Sequence, residues 1–173
     1  MGVTYTTTSA ATYVPIATTT LASAAASYTF SSIPQTYTNL VLVMNAASVG
    51  SSYYNSSIQV NGDTGNNYSN TLLGNSGSSP YSFRYSNYSL TYLDYAGSVT
   101  NNFSQNSTVN FMNYSNTSVY KSYLIRTNSA GQELFAMAGL WRNTAAITSI
   151  SINIYSTNFA SGSTFTLYGI LGA

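Results

Sequence analysis

The sequence predicts an all-β protein, an antiparallel two-sheet sandwich of jelly-roll-like form with about ten short strands. Thr, Tyr, Val, Ile and Phe, which favour strands, are abundant, whereas the helix formers Glu, Lys and Gln are scarce. No window shows a sustained 3.6-residue apolar period. Apolar stretches recur at short intervals between Gly, Asn, Ser and Pro, which is typical of sandwiches and jelly rolls.

The candidate strands are short and follow one another closely along the chain. They are Thr12–Thr20, Ser27–Ser32, Thr38–Asn45, Ser56–Asn61, Tyr68–Leu73, Phe83–Asp94, Thr108–Tyr114, Val119–Thr127, Leu134–Arg142, Ile147–Tyr155 and Thr164–Leu171. Asn61-Gly62-Asp63 is a hairpin-turn signal, because Asn and Gly tolerate positive φ. Leu21–Ser27 has room for one helical turn.

Side-chain alternation predicts which strand faces are buried. Ile150, Ile152 and Ile154 share one face, so the opposite face of this strand is expected to be exposed to solvent. Two strands are apolar on both faces. One is Leu40–Met44, and in the other Phe135, Met137 and Trp141 face one way while Leu134, Ala136, Ala138 and Leu140 face the other. An apolar outer face requires cover, either from the protein's own loops or from another subunit.

Charge is sparse and limits the chemistry that is available. The chain has four basic and three acidic residues, no His and no Cys. Disulfides, thiolate zinc sites and a His-dependent serine hydrolase are excluded. A net charge of +1 provides no basic field for nucleic acid or for an anionic membrane. A near-neutral surface suits close packing in an assembly.

Enzymatic activity is not expected, and no catalytic, cofactor-binding or metal-binding residue is predicted. A glycoside hydrolase would need two carboxyls, and Asp63, Asp94 and Glu133 lie far apart in sequence. A lone strand Lys such as Lys121 is expected to be solvated. Residues 63–67 carry oxygen ligands for calcium, but a turn stabilised by Asp and Asn side chains is favoured.

The sequence predicts one domain preceded by an N-terminal arm. Residues 1–11 form a polar, Thr-rich segment that is predicted to be extended, and residues 12–173 form a single β-sandwich domain. Neither a signal peptide nor a membrane span is apparent.

Residues 81–95 carry an aromatic cluster. Three interpretations fit it: a receptor contact, a contact with a neighbouring protein, or ordinary sheet surface. Its members are Tyr81, Phe83, Tyr85, Tyr88, Tyr92 and Tyr95.

Several runs resemble small surface proteins of tailed, cyanophage-like and marine bacteriophages. These runs are YVPIATTTL at 13–21, YTNLVLV at 37–43, NGDTGNNYS at 61–69, GLWRNTAAITSI at 139–150 and FASGSTFTLYGI at 159–170. The likeness is weakest over residues 74–107. It implies a jelly-roll-like, trimeric protein on the outer surface of a capsid or tail, made in the cytoplasm of the host bacterium.

The resemblance implies a capsid decoration (cement) protein that packs as a homotrimer at capsomer seams and stabilises the shell. Its partners would be its own copies and the major capsid protein, with neither nucleic acid nor membrane. The alternative is a tail-fibre or receptor-binding head that contacts host surface glycans. The start at Met1, with no fibre shaft ahead of the domain, favours decoration. The candidate interface residues are Tyr5, Tyr13, Leu134, Leu140, Trp141 and Arg142.

Overall fold

The computed structural model describes residues 12–95, 97, 99–102 and 104–171. Within them the chain forms two antiparallel sheets and no helix, which confirms the predicted all-β sandwich. The strands are β1 Tyr13–Thr20, β2 Ser27–Phe30, β3 Asn39–Ala46, β4 Ser56–Val60, β5 Tyr68–Asn75, β6 Pro80–Tyr88, β7 Thr91–Tyr92, β8 Gln105–Phe111, β9 Lys121–Ser129, β10 Glu133–Trp141, β11 Ile150–Ile154 and β12 Thr164–Ile170. Residues 21–26 form bends and one isolated bridge from Ala25 to Phe159, so the helical turn that Leu21–Ser27 could have made is absent.

Eight of the strands pair in a nested order. Strand β1 pairs with β12, β2 with β11, β3 with β8 and β4 with β7, all antiparallel. Side by side they form the order β1-β12-β3-β8 in the large sheet and β2-β11-β4-β7 in the small sheet. The chain is therefore a long antiparallel ribbon whose successive strands fold into two facing layers.

Two further strand pairs extend only the large sheet. The pair β5–β6 follows β4, and the pair β9–β10 follows β8. They join through β10 and β5, so that the large sheet continues as β8-β9-β10-β5-β6. The small sheet ends at β7. Part of the large sheet therefore extends past the edge of the small one.

The core lies between the two sheets and is built by alternation. Ile150 and Ile152 are fully buried and Ile154 is nearly so, which confirms the predicted face of β11. The large sheet contributes Leu42 and Phe165, which are also fully buried. Large buried aromatic side chains keep their polar atoms bonded: the Tyr68 hydroxyl accepts from the Val60 amide at 3.0 Å, for example.

Two local predictions differ from the structure. Residues 83–94 do not form one strand, because β6 ends at Tyr88 and β7 belongs to the other sheet. Asn87 adopts a φ of 63° just before this crossover. Asn61 and Gly62 do form a turn, with φ values of 54° and 64°. That turn leads from the small sheet to the large one, so it does not close a hairpin.

Lys121 is buried, so the expectation that it is solvated is wrong. Its Nζ donates to the carbonyl oxygens of Val119 at 2.8 Å and Thr144 at 2.9 Å. Burial lowers the pKa of this ammonium group. The side chain therefore fastens β9 to the loop after β10.

Candidate functional site

The inserted strand pairs carry two surfaces that differ from the rest of the molecule. The first is on the outer side of the large sheet, and we call it the outer apolar face. It consists of Leu73, Leu124, Leu134, Ala136 and Ala138. The second lies on the inner side, where the large sheet passes the edge of β7, and we call it the aromatic cleft.

Strand register brings the members of the outer apolar face together. Ala136 lies opposite Leu73 on β5, and Ala138 lies opposite Leu124 on β9. Leu73, Leu124 and Leu134 are 64%, 52% and 65% exposed. The described loops of the protein therefore leave this face open.

The outer apolar face is shallow and carries positive charge. A groove of about 580 Å³ runs over Leu73, Leu124 and Ala136 and is bordered by Arg126. Arg84 lies opposite Thr71 on the same side of the sheet. All three acidic side chains of the protein are engaged elsewhere, as described below. The face thus combines exposed leucines with two guanidinium groups.

The predicted interface residues do not all reach a surface. Leu134 is exposed on the outer apolar face and Leu140, half-buried, lies at its margin. Tyr13 is 54% exposed on the edge strand β1, with its ring centroid 5.9 Å from that of Tyr168. Tyr5 belongs to residues 1–11, which lie outside the described part of the chain. The arm prediction likewise lies there.

For Trp141 the predicted contact with a neighbouring subunit is wrong, because its side chain is 1% exposed. The indole Nε1 donates to Asp63 Oδ2 at 2.6 Å. Arg142 is also engaged within the chain, since it donates to Asn87 Oδ1 at 2.9 Å and to Ser69. Both side chains hold the segment between β4 and β5 in place.

That segment confirms the interpretation of residues 63–67 as a stabilised turn. Asp63 accepts from the Gly65 amide and from Asn67 Nδ2, both at 2.8 Å, in addition to Trp141. Burial raises the Asp63 pKa, but these three hydrogen bonds outweigh it and leave the pKa below its usual value. Within the described residues, no three metal-ligating side chains lie together.

The structure brings all six aromatic side chains of the 81–95 cluster together. The ring centroids of Phe83 and Tyr95 are 4.5 Å apart, those of Tyr81 and Tyr95 are 4.9 Å apart, and those of Tyr85 and Tyr88 are 5.1 Å apart. Tyr92 continues the series at 6.4 Å from Tyr88. Tyr81 and Phe83 form one end, outside the cleft.

The aromatic cleft has a volume of about 240 Å³ and lies between both sheets. Four tyrosines of the cluster and the adjacent Asp94 line it, together with residues from three other segments. The lining residues are Asn55, Asn70, Leu72, Tyr85, Tyr88, Tyr92, Asp94, Tyr95 and Met137. Sequence reasoning did not find Asn55, Asn70, Leu72 or Met137. Their positions depend on strand pairing between distant parts of the chain, for which the local pattern carries no signal.

Asp94 is a buried carboxyl at the floor of this cleft. Its oxygens accept from Asn55 Nδ2 at 2.5 Å, from the Ser56 amide at 2.8 Å and from the Ser56 hydroxyl at 3.0 Å. Burial raises its pKa to about 7 against the effect of these hydrogen bonds, and the charge of Glu133 contributes in the same direction.

Glu133 is therefore near Asp94 despite the distance in sequence, although it does not itself line the cleft. It accepts from the Tyr81 hydroxyl at 2.6 Å and from the Tyr95 amide at 3.1 Å. Burial and this bond to Glu133 raise the pKa of Tyr81. The carboxyl groups of Asp94 and Glu133 thus anchor the segment after β7 and the first residues of β6.

Comparison with protein-family models, curated proteins and solved structures found no match. Among the described residues there is no helix long and apolar enough to cross a membrane.

Proposed function

We propose that this chain is a structural protein of a tailed-bacteriophage virion, a capsid decoration (cement) protein that packs as a homotrimer at capsomer seams. The observation that carries the proposal is the outer apolar face, which presents three exposed leucines on the large sheet. Exposed patches of this kind mark interaction sites. The nested pairing of β1 to β4 with β12, β11, β8 and β7 supports the jelly-roll assignment that accompanies it.

Charge suggests which molecule covers the outer apolar face. A second copy packed face to face would set Arg84 and Arg126 against their own counterparts. It would have no carboxylate to offer, because Asp63, Asp94 and Glu133 are hydrogen-bonded inside the chain. The face therefore suits a different partner that carries acidic side chains, and in the proposal this is the major capsid protein.

Contacts among copies would then use other surfaces, namely the arm (residues 1–11) and exposed side chains near β1 such as Tyr13. Sparse charge allows copies to approach closely, because their mutual repulsion is small. The mechanism of stabilisation is mass action: a protein that binds the assembled shell and not its separated subunits favours assembly. Each added subunit contributes buried area across a seam.

The experiment replaces Leu73, Leu124 and Leu134 by Ser and measures cosedimentation with capsids that lack the protein. The matched control replaces Val49, Val119 and Tyr155 by Ser, because these are similarly exposed but lie elsewhere. Loss of binding in the first variant alone supports the proposal. Equal binding by both variants contradicts it. Quantitative mass spectrometry should also find a copy number close to that of the major capsid protein.

A second candidate is a tail-fibre or receptor-binding head that contacts host surface glycans. The observation in its favour is the continuous aromatic cluster, in which Phe83 and Tyr95 remain 39% and 37% exposed. Replacing both by Ala should then abolish adsorption of the phage without unfolding the domain. A copy number of a few to some tens per virion would favour this candidate over decoration.

A further inference from the structure

The rings that line the aromatic cleft are inclined to one another. The planes of Tyr85 and Tyr88 meet at 54°, and those of Tyr88 and Tyr92 meet at 72°. They therefore approach the cavity from different directions and do not form one flat platform. A small group in the cleft is in contact with aromatic surface on more than one side.

The side chains of Asn55, Asn70 and Asp94 in the cleft already have partners within the protein. Asn55 donates to Asp94, and the Asn70 side-chain oxygen accepts from the Thr91 hydroxyl at 3.4 Å. Asp94 accepts from the amide and hydroxyl of Ser56 as well. A buried sugar ring would need hydrogen-bond partners for its hydroxyl groups, and burying a hydroxyl group without a hydrogen bond is costly. A ligand group that makes no hydrogen bonds fits this lining better.

The charges around the cleft favour a cation. Asp94 is buried at its floor and Glu133 is close enough to act on it. The four basic side chains lie elsewhere: Arg84 and Arg126 are on the outer side of the sheet, Arg142 binds Ser69 and Asn87, and Lys121 binds two carbonyl groups. No basic side chain lines the cleft, so its negative field is open to an external positive charge.

We propose that the aromatic cleft binds a quaternary ammonium group of the trimethylammonium type, as in choline. Tyr85, Tyr88 and Tyr92 surround the cation, and the ionised form of Asp94, which predominates above its pKa of about 7, is the counter-charge. Aromatic rings attract cations that lie within about 6 Å of the ring centroid, and quaternary ammonium groups are recognised in this way. Leu72 and Met137 provide apolar contact for the methyl groups.

The size of the cleft agrees with such a head group. Its volume of about 240 Å³ is below the roughly 300–1,000 Å³ of sites for drug-sized ligands. The inference goes beyond the proposed virion role and does not depend on whether the protein lies on the head or the tail. It concerns the inner side of the large sheet, whereas capsid binding is proposed for the outer side.

The test compares choline chloride with 3,3-dimethylbutan-1-ol, which has the same shape and no charge. Both are titrated into the full-length protein by calorimetry, with the tyrosine resonances followed by NMR, at fixed salt. Choline should bind about tenfold more tightly than the alcohol, as expected for a desolvated cation–aromatic contact. Glucose and N-acetylglucosamine are titrated in parallel as neutral sugars.

Variants locate the site. Tyr88→Leu should weaken choline binding about tenfold, whereas Tyr88→Phe keeps the ring and should retain most of it. Asp94→Asn should weaken binding of choline but not of the alcohol. Tyr13→Leu is the matched control, since Tyr13 is an exposed tyrosine at the opposite end of the large sheet.

Three results would overturn the inference. Equal affinity for choline and the alcohol would mean that charge is not recognised. Binding of a neutral sugar without choline would identify a carbohydrate site instead. Absence of binding by every probe would mean that the cleft takes none of these ligands. Capsid cosedimentation of Tyr88→Leu separates this test from the proposed function, because that variant leaves Leu73, Leu124 and Leu134 unchanged.

Discussion

Gly139 and Tyr123 lie opposite each other on β10 and β9, and the tyrosine ring covers the glycine so closely that no side chain fits between them. A Cβ atom on residue 139 would lie 1.9 Å from Cε2 of Tyr123. The hydroxyl of the same ring is hydrogen-bonded to Thr91 on β7. One glycine therefore allows a buried tyrosine to join the large sheet to the edge of the small sheet.

Gly139→Ala is expected to destabilise the fold by about 1–3 kcal/mol, because the Tyr123 ring must move within a packed core. Chemical denaturation measures the free energy of unfolding. The control is Ala138→Ser on the adjacent, exposed residue, which should change it by less than about 0.5 kcal/mol. In the background of Tyr123→Leu the cost of Gly139→Ala should fall, and strict additivity of the two changes would contradict the proposed clash.

Alternation along single strands could be predicted from the sequence. The isoleucines of β11 and the two faces of β10 follow the period of two that side chains obey on a strand. The outer apolar face could likewise be predicted, because Leu134, Ala136 and Ala138 point to the side of the strand opposite Phe135. What the pattern left undecided was whether the chain itself covers that face.

Pairing between distant segments could not be predicted in this way. Strand β10 lies between β9, its neighbour in sequence, and β5, which precedes it by about 60 residues. Only that second pairing brings Met137 beside Leu72 and creates the wall of the aromatic cleft. Lys121 is a similar case, since its carbonyl partner in Thr144 becomes close only after β10 has formed.

Lys121→Met should lower the free energy of unfolding by about 1–3 kcal/mol, even though it replaces a buried charge by an apolar side chain. The substitution leaves the carbonyl groups of Val119 and Thr144 without their donor, and unmade hydrogen bonds in a partly buried site carry a cost of this order. Arg126→Met on the exposed side of the same strand removes the same charge and should be nearly neutral. An unchanged midpoint for Lys121→Met would show that water replaces the ammonium group.

The Asp63–Trp141 hydrogen bond should be visible in the titration of Asp63. Trp141→Phe removes one of the three donors that hold the carboxylate, so the Asp63 pKa should rise toward its ordinary value. Because the native pKa is lowered, the stability from this group is present above pH 4 or so and is lost as pH falls through the native pKa. NMR titration of the Asp63 carboxyl checks both statements. An Asp63 pKa that stays low in Trp141→Phe would assign the effect to Gly65 and Asn67.

Asp94 should give the opposite pH dependence. Its native pKa of about 7 exceeds the value near 4 of an unfolded chain, so between these values the folded protein keeps a proton that the unfolded chain releases. The contribution of this group is therefore fully present below about pH 4 and is lost as pH rises to about 7. Urea denaturation across this range should show stability decreasing with pH, and Asp94→Asn should remove that slope.

Glu133→Gln provides the companion measurement, since Glu133 is the acidic group whose charge acts on Asp94. Without that charge the pKa of Asp94 should fall, so the decrease in stability should still begin near pH 4 but should end at a lower pH than in the wild type. A pH profile that is identical in the wild type and in Asp94→Asn would mean that the carboxylate remains ionised in the fold. In that case the hydrogen bonds from Ser56 and Asn55 offset the desolvation of Asp94, and the aromatic cleft holds a full negative charge throughout the neutral range.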